Sequence, residues 1–181
     1  MPRPFQHSLV ALLAALAVSA ESASALPSPV AAKQSATAKT RLAFTGYVVD
    51  QAGVLNPEER QRLTGRLSRL QHDTGHQFAV VIVTSLGGED VGAFTTRLAN
   101  RWGVGRKGVN DGVLLLVAPH DRRARIAVGY GLERRLPDAF CQEVMSQRMV
   151  PAFAQGKFGL GIEAGVSEII ARLAATEGRD H

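Results

Sequence analysis

Four oxygen-bearing side chains stand out as candidate ligands: Asp50, Asn110, Asp111 and Glu133. Asp50 closes a short extended segment, Asn110-Asp111 stand just before an apolar run, and Glu133 follows Gly129-Tyr130-Gly131. Carboxylate and amide oxygens converging from separate loops are what Ca2+ or Mg2+ requires. The same loops carry Arg106, Lys107, Arg134 and Arg135, which could hold an anion beside such an ion. A plainer account stays open, with Asp111-Gly112 as turn chemistry and Glu133 as a solvated carboxylate. If Asp111 is a ligand, Asp111→Asn should remove the ion's stabilisation and leave the apo fold intact.

Other motifs carry less. Gly103-Val104-Gly105-Arg106-Lys107-Gly108 matches G-x-G-x-x-G, but it leaves a helical pattern and enters a strand pattern. The dinucleotide fingerprint needs the reverse order, with the pyrophosphate on a helix N-terminus. The segment reads instead as a loop rimming a pocket. His72-Asp73-Thr74-Gly75-His76 resembles H-E-x-x-H, yet Gly75 breaks the helix that must present both histidines on one face. Two solvated histidines at a helix end are the simpler reading. Cys141, the single cysteine, lies in a helical pattern with no neighbouring histidine and reads as a core thiol. The sequence has neither G-x-S-x-G nor a phosphate-loop lysine.

The elements that position these residues follow from pattern. Asn56-Pro57-Glu58-Glu59 combines an N-cap, a first-turn proline and a capping-box glutamate. Leu63, Leu67 and Leu70 continue it as one apolar stripe, and Thr74-Gly75 ends it. Phe78 to Val83 and Val113 to Ala118 are unbroken apolar runs, as expected for strands buried on both faces. Between them, Val91, Phe94, Leu98 and Trp102 mark a second helix. A turn at Pro119 to Arg122 leads to a strand from Arg123 to Val128. A helix starts near Pro137-Asp138 and is expected to break at Pro151, and Ile162, Val166, Ile169, Ile170 and Leu173 mark the last one.

This order predicts an α/β fold: a three-layer α/β/α sandwich with a small mixed β-sheet and helices on both faces. The Phe78 and Val113 strands should be parallel and the Arg123 strand antiparallel. Gly129, Asn110-Asp111 and the His72 to His76 turn then share one sheet edge. Asp50 can fall on the opposite edge.

The ends and composition bound the setting. Arg3, the apolar run Leu9 to Ala20 and Ala23-Ser24-Ala25 form the three-part pattern of a cleavable secretory signal over residues 1–25, with Ala20 as a second cleavage point. No cysteine stands at the cleavage site, which excludes a lipoprotein. Residues 26–43 read as a flexible linker, 44–175 as one α/β domain and 176–181 as a disordered tail. No transmembrane segment is expected in the mature chain. The formal charge of +5 survives signal removal, because Arg3 and Glu21 leave together. An exported protein of this charge suits an anionic envelope surface or phosphate-bearing ligands, and not nucleic acid.

Three stretches carry a family resemblance. They are Gly46-Tyr47-Val48-Val49-Asp50-x-Ala52-Gly53-Val54-Leu55 with Pro57-Glu58-Glu59; Arg101 to Gly105 leading to Asn110-Asp111-Gly112-Val113; and Val128-Gly129-Tyr130-Gly131-Leu132-Glu133 with Leu136-Pro137-Asp138. Together, from Phe44 to about Leu173, they resemble the TPM domain family, named for a thylakoid-lumen protein, a photosystem II repair protein and a nematode receptor modulator. The resemblance implies an exported or lumenal protein, often binding divalent cations, with Asp50, Asn110, Asp111 and Glu133 as the matching positions. It also implies either an accessory factor for a membrane-protein complex or an acid phosphatase. The first expectation is therefore a Ca2+- or Mg2+-binding accessory module of the periplasm or cell envelope. The alternative is a metal-dependent phosphatase acting on phosphate monoesters.

Overall fold

The computed structural model describes residues 46–177. The proposed signal peptide, the whole linker, the first two residues of the expected domain and the last four residues of the chain lie outside them.

Two buried strands organise the molecule. β1 (Val48–Asp50), β2 (Gln77–Ile82), β3 (Gly112–Ala118) and β4 (Arg123–Val128) form one sheet in the order β1-β2-β3-β4. β1, β2 and β3 are parallel, while β4 returns antiparallel. In β2 and β3 successive residues face opposite sides of the sheet, and both sides are covered. Phe78, Val80, Ile82, Val113, Leu115 and Val117 enter one core, while Ala79, Val81, Leu114 and Leu116 enter the other. The unbroken apolar runs follow from this double burial.

The larger core packs beneath α1 (Pro57–Thr74), α3 (Asp138–Val144) and α5 (Phe158–Glu177), and the smaller beneath α2 (Val91–Trp102). α1 starts with the expected capping box: Asn56 Oδ1 accepts from the Glu59 N–H, and Glu59 Oε2 from the Asn56 N–H, each at 2.9 Å. It stops at Gly75, which adopts the left-handed φ of 75°. α2 starts on the Asp90 carboxylate and ends at Gly103.

The expected break at Pro151 does not occur. The helical run passes from α3 through a π-helical turn (Met145–Met149) into α4 (Val150–Phe153), with Pro151 in the first turn of α4. The Val150 N–H bonds Met145 O across the widened turn. A proline lacking an N–H is tolerated where a local helical adjustment re-pairs the backbone around it. At the other end α5 reaches Glu177, two residues into the segment read as tail.

Strand register decides which loops meet. Gln77 pairs with Gly112 and Val113 with Val128, so the segments before β2, before β3 and after β4 share one edge. Asp50 pairs with Ile82, which pairs with Val117, so Asp50 lies at the other end of the strands.

Candidate functional site

The edge before β3 is built from backbone packed on backbone. A side chain at Gly112 would collide with the Val104 carbonyl, at Gly129 with the Asn110 carbonyl, and at Gly131 with the Val109 carbonyl. The glycines let the Gly103–Asp111 loop lie directly against the loop after β4. Gly129 N–H donates to Gly112 O at 2.8 Å and Gly131 N–H to Asn110 O at 3.0 Å. Asn110 takes the left-handed φ of 54°, a conformation its short side chain tolerates. The G-x-G-x-x-G match thus reflects close packing between a helix end and a strand start.

Asp111 holds this loop from inside. Its side chain is 1% exposed. Oδ1 accepts the Arg106 backbone N–H at 2.7 Å, and Oδ2 accepts Arg106 Nε at 2.7 Å and faces its Nη2 at 2.6 Å. His76 Nδ1 approaches Oδ2 at 3.1 Å, and Arg135 Nη1 meets His76 Nε2 at 3.2 Å. A carboxylate only accepts and a guanidinium only donates, so these contacts fit the imidazole tautomer protonated on Nδ1. Burial pushes the Asp111 carboxyl up, but the Arg106 side-chain and backbone hydrogen bonds and the His76 contact outweigh it. The group lies below the usual carboxylate range.

These contacts correct two expectations. His76 is not solvated: it is buried, whereas His72 is exposed. Both Asp111 oxygens are engaged by Arg106 and His76, so Asp111→Asn cannot leave the apo fold untouched.

The remaining candidates divide. Asp50 is turned into its own loop: Oδ1 accepts from Gly53 N–H at 2.8 Å and Oδ2 from Leu55 N–H at 2.9 Å, with Arg60 Nη2 at 3.5 Å. It shapes the approach to α1 at the far end of the sheet. Asn110 and Glu133 do come together, lining a cleft of about 290 Å³ on the α2 side of the sheet. Thr96, Asn100 and the exposed Tyr130 line it too, three residues that sequence pattern did not single out. Among the cations, Arg106 and Arg135 meet around His76 and Asp111, while Lys107 and Arg134 are exposed on the same loops.

The set Asp50, Asn110, Asp111 and Glu133 is therefore not assembled as one ligand cluster. Among the described residues no three His, Cys, Asp or Glu side chains are grouped to hold a metal ion. The cleft's lining residues Glu133, Asn110, Asn100 and Thr96 all carry hard oxygen donors. That chemistry fits Ca2+ or Mg2+ with water completing the shell. Cys141 is buried, and burial first, then the nearby Asp138 charge, push its thiol up to about 11. It takes no part in the site.

A mixed sheet covered on both faces, with a glycine-packed polar edge, defines an α/β domain of the three-layer type. The chain belongs to the TPM domain family, whose model matches residues 48–172. It is similar to the N-terminal domain of a protein from P. gingivalis, at 36% identity over 73% of this chain and 84% of that one, with a TM-score of 0.69. It also shares the fold of the N-terminal domain of a Corynebacterium glutamicum protein, at 16% identity over 74% and 84% of the two chains and a TM-score of 0.56. A protein of the psychrophilic bacterium Bizionia argentinensis matches at 20% identity over 70% and 86%, with a TM-score of 0.59. No match was found among curated proteins.

Proposed function

We propose that this chain is an exported accessory module of the periplasm or cell envelope that holds a divalent cation in the cleft beside β3 and β4. The observation that carries the reading is the meeting of Asn110 and Glu133, from loops more than twenty positions apart in sequence, in one polar cleft. Glu133 supplies the charge, and Asn110, Asn100 and Thr96 supply neutral oxygens. A site with one carboxylate binds weakly compared with one built from several, because ligand charge sets much of the affinity. Such a site suits an extracytoplasmic compartment, where free Ca2+ or Mg2+ can be abundant. The secretory pattern of residues 1–25 supports export.

The phosphatase alternative ranks second. It needs a nucleophile, or a water activated at an open metal position, with cations free to take the phosphate. Arg106 and Arg135 are instead tied to Asp111 and His76, which leaves only the exposed Lys107 and Arg134 of the four candidate cations. Calorimetric titration of the mature chain with Ca2+ and with Mg2+ tests the binding reading. Saturable binding that Glu133→Gln weakens at least tenfold supports it. Binding unchanged in Glu133→Gln, or no binding at millimolar ion, overturns it.

A further inference from the structure

The other face of the sheet carries a feature that the cation cleft does not use. Arg62 Nε bonds Glu163 Oε1 at 3.0 Å, and Arg66 Nη1 donates to Ser167 Oγ at 2.8 Å. The partners advance by four residues on both helices, so α1 and α5 run side by side in the same direction. Along α1 lies an open groove of about 830 Å³, lined by Gly65 and three arginines of α1 and closed at one end by Ile170 and Ala174 of α5, with the buried Leu70 beneath.

Three observations bear on what it takes. The first is charge. Arg62 is met by Glu163, but the Arg66 hydrogen bond is to a neutral hydroxyl, and Arg69 has no hydrogen-bond or ion-pair partner among the described residues. Glu58 and Asp73 stand at the two ends of the lining, so the middle is positive. The second is Gly65, in the interior of an 18-residue helix. No atom lies within 4 Å of a β-carbon built there. Packing within the chain does not require glycine, and alanine would favour the helix. A bare backbone leaves the groove floor open to something outside. The third is shape. The α1 residues lining it run from Glu58 to Thr74, roughly 24 Å at helical rise, about four turns of a partner helix, with Ile170 and Ala174 of α5 as the second wall at one end.

We propose that the α1–α5 groove is a docking surface for an acidic amphipathic helix of a partner protein. Its apolar stripe would lie along Gly65, Ile170 and Ala174, and its central carboxylates would meet Arg66 and Arg69. Helix-in-groove recognition works in this way, with apolar anchors at helical spacing and charges at the rim setting orientation. A bilayer is flat and would meet arginines on a convex face, not within a concave channel. The proposal rests on the accessory-module part of the reading above and not on the cation, whose cleft lies on the opposite face of the sheet.

The test uses the mature chain and a fluorescein-labelled 18-residue peptide with leucines on one helical face and glutamates flanking them. A peptide of the same composition in scrambled order is the control. Anisotropy is read in EDTA and in Ca2+, so failure of cation binding leaves the outcome legible. The patterned peptide should bind at least tenfold more tightly than the scrambled one. Arg66→Glu with Arg69→Glu should remove that binding with the melting temperature held within a few degrees; Arg66→Gln with Arg69→Gln serves if charge reversal impairs folding. Gly65→Leu, which fills the floor, should weaken binding without lowering the melting temperature. Equal binding of both peptides, no binding, or no loss in the arginine variants overturns the proposal. So does preference for vesicles containing 30% phosphatidylglycerol that the same variants abolish, which would make the groove a lipid-facing surface.

Discussion

The carboxylate of Asp111 closes a loop of its own chain by receiving both the backbone N–H and the guanidinium of Arg106, five residues earlier. His76, from the turn before β2, reaches the same carboxylate. One buried anion thus ties the start of β3 to the start of β2 and to the loop that carries Asn110. Its role is to fix the shape of the edge against which the cleft is formed.

Replacement of Asp111 by Asn should therefore act on stability. Asn keeps one acceptor but sets an NH2 group where Arg106 and His76 present donors. Leaving such groups mismatched at a buried position costs about 1–3 kcal/mol. The lower part of that range is expected, since the Arg106 side chain is 51% exposed and water can take up its charge. Urea denaturation of wild type and Asp111→Asn measures the difference. A change below about 0.5 kcal/mol would mean that the carboxylate does not hold the loop.

Acid should expose the same group. The Asp111 carboxyl lies below its ordinary value in the folded chain, so it takes up a proton more readily when unfolded. Its contribution is fully present above the unfolded value of about 3.9 and is lost as pH falls through the lower, folded value. The melting temperature of wild type should fall more steeply than that of Asp111→Asn as pH drops below about 4. Parallel curves for the two proteins would rule out the linkage.

The sheet centre gives a sharper number. Val81 and Leu115 point into different cores and are 0% and 1% exposed. Truncating either to Ala leaves a cavity in close-packed surroundings and should cost on the order of 2–5 kcal/mol, with Val81 at the low end because it loses fewer atoms. Denaturant midpoints at constant slope would measure it.

The elements were legible because their signals are local. The Asn56 capping box, the Leu63, Leu67 and Leu70 stripe and the double-faced apolar runs each specify one structure without help from the rest of the chain. The handedness of the crossover then placed Asn110 and Glu133 on one edge. What local pattern lacks is pairing. His76 read as solvated because nothing beside it in sequence needs it, yet Gln77 pairs with Gly112 and so sets His76 next to Asp111. That pairing, read one residue back, was the available signal. Asp111 and Asp50 read as ligand candidates because a carboxylate beside glycine serves an ion or a loop equally well. Their partners are what sequence does not show: Asp50 bonds within its own loop, and Asp111 bonds Arg106 and, across the sheet edge, His76. Thr96 and Asn100 were hidden on the exposed side of an amphipathic helix, where polar residues carry no signal. Pro151 misled because a π-turn depends on neighbouring packing and not on the proline.

Ion binding and loop architecture should separate between Glu133 and Asp111. A cation that binds only the folded chain stabilises it by about 2.7 kcal/mol at 100 times its dissociation constant. Glu133 is exposed in the cleft wall, and replacing it by Gln removes the one carboxylate there while keeping its size. Glu133→Gln should unfold at the wild-type temperature in EDTA and lose most of the rise that saturating Ca2+ gives wild type. Asp111→Asn should do the reverse, starting lower in EDTA and retaining most of the rise, because its oxygens face Arg106 and His76. Differential scanning calorimetry of the three proteins, each with EDTA and with Ca2+, reads all six temperatures at constant ionic strength. Loss of the rise in Asp111→Asn with Glu133→Gln unaffected would return Asp111 to the ligand set and move the ion out of the cleft.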